Sequence, residues 1–91
     1  MPKYIIERDL PRVGKFSKKQ LKDMAVNFCE VLDGIRSNLQ WVHSYVTARK
    51  IYCVYYASGN DTIMERSSFG AFPVNKVSRV LATIDPSTAE P

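Results

Sequence analysis

The chain has 91 residues, a formal net charge of +4 and two cysteines. That length bounds it to one small domain, which removes only about 60–65% of its unfolded surface from water on folding. Two cysteines cannot build a disulfide framework, and no run approaches the ~18 apolar residues of a membrane span. Met1-Pro2-Lys3 leads directly into Tyr4 with no apolar leader, so a reduced, cytoplasmic protein is the expectation. A domain this small gains from dimerisation.

Tyr4 to Arg8 is a short apolar run rich in β-formers, closed off by Pro11 and Gly14, and predicts a first strand over 3–9. Ser17 and Gln20 form a capping box, and Phe16 and Leu21 occupy the two positions of a hydrophobic staple. Leu21, Met24, Ala25, Phe28, Leu32 and Ile35 then recur at steps of three and four, with Gly34 placed as a C-terminal stop. The first helix is expected over 17–33. Lys15, Lys18, Lys19 and Lys22 crowd its start, downstream of Arg8 and Arg12, and oppose the helix dipole. We read them as a solvated face rather than a phosphate-contacting patch, because the remaining basic charge is scattered.

Residues 40–47 and 50–57 read as two strands rich in Val, Ile, Trp and Tyr, joined by a tight turn at Ala48-Arg49. With two loop residues, positions summing to 97 face each other. Val42, Ser44, Val46, Ile51, Cys53 and Tyr55 then share one face, and Trp41, His43, Tyr45, Tyr52, Val54 and Tyr56 the other. Ser58 and Asp61 form a second capping-box-like pair, predicting a short helix over 59–69. Residues 76–84 alternate well enough for a last strand, Pro86 stops it, and 86–91 is expected to be a flexible C-terminal tail after a single domain over 1–85.

The order β-α-β-β-α-β implies an α+β, ferredoxin-like sandwich: a four-stranded antiparallel sheet with both helices on one face. The other face would carry Trp41, Tyr45, Tyr52, Val54 and Tyr56, too much apolar area to leave in water. A second copy covering it by two-fold symmetry gives a homodimer of the dimeric α+β barrel type.

His43 is the only histidine. A hydrogen-bonded residue of the dimer face is the plain reading. A metal ligand is the sharper one, since neutral imidazole binds borderline divalent metals. It needs partners, and Glu7 on a central first strand is placed to approach it across the open face. Asp9 is a further carboxylate, while Cys53 falls on the opposite face. No CxxC, HExxH, GxGxxG or P-loop pattern occurs, so no motif supports enzyme chemistry. RNA-recognition domains share this element order, but Lys50-Ile51-Tyr52-Cys53-Val54-Tyr55-Tyr56 lacks the glycines of their third-strand motif.

Four blocks carry a family resemblance: Met1 to Asp9, Gln40-Trp41-Val42-His43-Ser44-Tyr45-Val46, Lys50 to Tyr55, and Phe72-Pro73-Val74-Asn75-Lys76-Val77. Over residues 2–88 the chain resembles a bacterial family of small ferredoxin-like domains of unknown function, often labelled a nickel-binding protein family. The resemblance implies a ferredoxin-like fold, a dimer, and binding of nickel or another divalent transition metal, with His43 and Glu7 as the positions carried over. It departs at Glu65-Arg66, where relatives read Glu-His. An arginine cannot replace a metal-binding histidine. The alternative is a dimer that binds or converts a small organic ligand between its two sheets, with Trp41, Tyr45, Tyr52 and Tyr56 lining the cavity.

Overall fold

The computed structural model describes residues 2–33, 39–58 and 72–91. The expected helix over 59–69 and the Gly34 stop lie outside these residues. Four strands and one main helix are described: β1 (Lys3–Asp9), α1 (Lys18–Asp33), β2 (Leu39–Val46), β3 (Lys50–Ala57) and β4 (Lys76–Arg79), with 3₁₀ turns at Val13–Lys15 and Pro86–Ala89. The strands form one antiparallel sheet in the order β2-β3-β1-β4, the ferredoxin-like arrangement, with β1 and β3 central.

The local signals act where the residues place them. Ser17 N donates to Gln20 Oε1 at 2.8 Å and Gln20 N donates to Ser17 Oγ at 3.1 Å, which closes the capping box at the start of α1. The helix lays Met24 and Phe28 onto the sheet, where Tyr4, Ile6, Ile51, Cys53, Tyr55 and Ala57 complete the core. These are alternate residues of β1 and β3, as the two-residue strand period requires. The Phe28 ring stands edge-on to Trp41 (centroids 5.4 Å apart) and to Phe72 (5.3 Å). Such T-shaped pairs contribute about 0.5–1.5 kcal/mol beyond the area they bury.

Arg8 also points into this layer and is buried. Its Nη1 donates to the carbonyls of Phe72 (3.2 Å) and Pro73 (3.4 Å), and the guanidinium lies 5.4 Å from the Phe28 ring centroid. Asn75 N donates to Glu7 O and Asp9 N donates to Asn75 Oδ1. Segment 72–75 is thus stitched to β1 before it enters β4.

Two expectations need correction. The pairing sum of 97 holds from His43 to Val46, but a bulge between Trp41 and His43 shifts the register, so that Trp41 faces Tyr55 and Gln40 faces Tyr56. Val42 is the extra residue. Trp41, expected on the open face, therefore lies on the helix side against Phe28, and Val42, expected inside, is 40% exposed. The last strand, expected to reach residue 84, ends at Arg79. Its antiparallel partner β1 begins at Lys3, so after Val80 N donates to Lys3 O there is nothing further to pair with. Beyond it, Asp85 caps the Pro86–Ala89 turn, accepting from Ser87 N and Thr88 N.

Candidate functional site

The face of the sheet opposite α1 is built from the outward residues of all four strands. Three rows cross it. His43 on β2 faces Val54, which faces Ile5 and then Ser78. Tyr45 faces Tyr52, then Glu7, then Lys76. Gln40 faces Tyr56, which faces Lys3. The bulge at Val42 keeps His43 and Tyr45 outward while Trp41 turns in.

His43 is exposed, and its ring stands edge-on to Tyr45 with centroids 4.9 Å apart. Tyr45 is 60% exposed, whereas Val54, in the His43 row, is only 7% exposed. The Lys3 ammonium lies 5.4 Å from the Tyr56 ring centroid. The expectations that His43, Tyr45, Tyr52 and Tyr56 share this face are met.

Glu7 is on the same face but is not beside His43. It sits on β1, two strand spacings or about 10 Å across the sheet and one pair further along. Its carboxylate lies 3.8 Å from Lys50 Nζ and 4.0 Å from Lys76 Nζ, and Lys50 also lies 3.6 Å from Asp9. These half-exposed pairs contribute at most about 1 kcal/mol each, but they give Glu7 two cationic neighbours. Cys53 is buried on the helix side, as expected. Among the described residues no three His, Cys, Asp or Glu side chains come close enough together to hold a metal ion. Among the described residues, the open face of one chain therefore offers a single exposed imidazole and the carboxylates of Glu7 and Asp9, both with lysine neighbours.

Lys50 and Lys76 are the neighbours that sequence reasoning missed. Each follows from the pairing of β1 with β3 and β4, a long-range register for which no local residue pattern is a signal.

Residues 4–80 match the family described as "Nickel responsive protein SCO4226-like". The chain belongs to this family. The SCO4226-like match takes in all of the sheet but Lys3, from Tyr4 to the residue after β4, and with it the other open-face residues described above. A solved structure of SCO4226 from Streptomyces coelicolor A3(2) superposes with a TM-score of 0.69 over 90% of this chain and 99% of that one, at 9% identity. At that identity the likeness shows that this SCO4226-like chain has the same fold. No curated protein matches it.

Proposed function

We propose that this member of the nickel-responsive family is a homodimer that binds a divalent transition metal, nickel first among them, with His43 as the leading ligand. The observation that carries this is the position of the chain's only histidine, exposed on the open face beside Tyr45. A second copy closing over that face would bring a second His43 and double the donor set. Glu7 is the second candidate ligand, at the cost of leaving Lys50 and Lys76. Tyr45, Tyr52 and Tyr56 would line the same interface. Each aromatic buries roughly 150–250 Å², so at about 25 cal/mol per Å² a few of them offset much of the cost of association.

Nickel titration calorimetry on the wild-type chain and on His43→Ala tests the ligand, and sedimentation equilibrium tests the dimer. The expected result is binding at one site per two chains that the His43→Ala variant loses. Equal heats in both proteins, or none in either, would sink the proposal.

A second reading rests on the Tyr45–Tyr52–Glu7–Lys76 row. Its phenols, carboxylate and ammonium would suit a small polar organic ligand held between two sheets. A thermal-shift screen with metal-free protein separates the two: a ligand that stabilises His43→Ala as fully as wild type favours this second reading.

A further inference from the structure

Past β4 the chain carries a segment that the open-face reading does not use. Leu81 is 89% exposed and Ile84 79%, more than any other large apolar residue described. Both lie beyond the last residue of the family match. Directly after them the Asp85 carboxylate accepts from Ser87 N and Thr88 N, and Asp85 N donates to Thr88 Oγ1 at 3.0 Å, so the arm ends in a capped 3₁₀ turn. From Val80 to Pro91 the acids are Asp85 and Glu90, and there is no Lys or Arg. The hydrogen bonds within the turn draw the Asp85 carboxyl below its ordinary range, which keeps it charged. The arm is thus two aliphatic side chains followed by an acidic stretch.

Its complement lies elsewhere on the molecule. Between α1 and β2 runs an apolar groove of about 150 Å³, walled by Leu21, Met24, Ala25, Phe28, Trp41 and Val46. The helix that forms one wall begins with exposed Lys18, Lys19 and Lys22, next to exposed Arg12 and Lys15, and its first turn holds no acid. Lys18 and Lys22 are the helical neighbours of Leu21 and Ala25. Asp23 is the acid that follows, one turn from Lys19. Among the described residues none of these five cations is in an ion pair. The pattern is apolar groove, then basic rim, which matches aliphatic arm, then acidic turn.

The two halves of the match do not meet within one chain. The groove borders β2, and the arm leaves β4, the opposite edge, about 14 Å away across three strand spacings. The arm also leaves at the Lys3 end of β1, whereas the lysines follow the Asp9 end. We infer that Val80–Pro91 is an exchange arm: Leu81 and Ile84 enter the α1–β2 groove of a second copy, and Asp85 and Glu90 lie against its Lys18 and Lys22. Exchanged in both directions, the contact has a two-fold axis and pairs chains through their helix sides, as an interface additional to the one over His43. It uses the helix side of the sheet, so it stands or falls separately from the His43 interface.

The test is a cross-link that only two chains can make. One full-length chain carries Ile84→Cys, the other Ala25→Cys, both in a Cys29→Ser background that leaves the buried Cys53 in place. Equimolar chains are mixed and oxidised with diamide. A disulfide-linked pair forming at least tenfold faster than the control pair of Ile84→Cys with Arg49→Cys is the expected result, and 0.5 M salt or Lys18→Glu/Lys22→Glu in the Ala25→Cys chain slows it severalfold. Equal rates with both pairs would overturn the arm. Sedimentation of the full chain carrying Leu81→Asp and Ile84→Asp gives a second readout: weakened association supports the inference, and unchanged association overturns it. His43→Ala leaves the cross-linking rate unchanged, so failure of the metal reading shows up in calorimetry alone.

Discussion

Trp41 Nε1 donates a hydrogen bond to Ser44 Oγ at 2.9 Å, between two residues three positions apart on one strand. In a regular strand those residues point to opposite faces. They meet because Val42 is an extra residue, and the bond spans the bulge it creates. The same bulge sorts the strand chemically: the indole goes to the core with Phe28, and the imidazole goes to the open face with Tyr45.

The bulge makes Trp41 a structural residue rather than a site residue. Trp41→Ala is expected to cost about 3–5 kcal/mol by cavity formation. Ser44→Ala, which strands a half-buried indole N–H, should cost about 1–3 kcal/mol. Urea unfolding followed by circular dichroism measures both. A Trp41→Phe/Ser44→Ala cycle should show the two residues coupled, and strict additivity would contradict the bond.

Gly14 packs backbone to backbone on the hairpin turn. Its N–H donates to Ala48 O at 3.1 Å, and a Cβ there would come within 2.7 Å of both Ala48 Cα and Ala48 O. Gly14→Ala should destabilise by about 1–3 kcal/mol, the usual range for overpacking. Adding Ala48→Gly should not rescue it, because the atoms in the way are main-chain. The midpoint of urea denaturation for the single and double variants checks this.

Ser17 caps a helix that starts with cations and no acids. Ser17→Ala should cost about 1 kcal/mol. Ser17→Asp should hold or raise stability, since a carboxylate there both caps the helix and complements its dipole beside Lys18 and Lys19. Thermal melts of the three proteins check this: Ser17→Ala melting with wild type would show that the cap is not a determinant, and Ser17→Asp melting below wild type would contradict the dipole argument.

Burial raises the Tyr55 hydroxyl above its ordinary value, and the nearby Cys53 adds to this. The charge of Arg8 and its hydrogen bond pull the other way without cancelling it. A group raised in the folded state holds its proton more tightly there than in the unfolded chain. The stability linked to Tyr55 is therefore fully present below the unfolded value of 10.0 and is lost as the pH climbs through the folded one. Urea midpoints measured from neutral pH to above 10 should fall in wild type and fall less steeply in Tyr55→Phe.

Much of the fold was legible because its signals are local. The Ser17–Gln20 pair marks its helix start in four letters, and β1 and β3 occupy the expected ranges because β-formers fill them between turn residues. What escaped was decided at long range. Nothing in Gln40-Trp41-Val42-His43 marks an inserted residue, since either face assignment alternates plausibly. The overlong last strand had a good pattern but no partner, because β1 stops at Lys3. On the open face, the companions of His43 on β2 and β3 could be read from the hairpin. The lysines flanking Glu7 could not, because they arrive from two other strands.

The kink at Val42 also bears on solubility. β2 is an outer strand of the sheet, and an uninterrupted outer strand is a template for stacking chain upon chain. A misplaced residue in its middle spoils the spacing of its free N–H and C=O groups, so further molecules cannot simply add on. The edge thus carries its own guard against fibre growth.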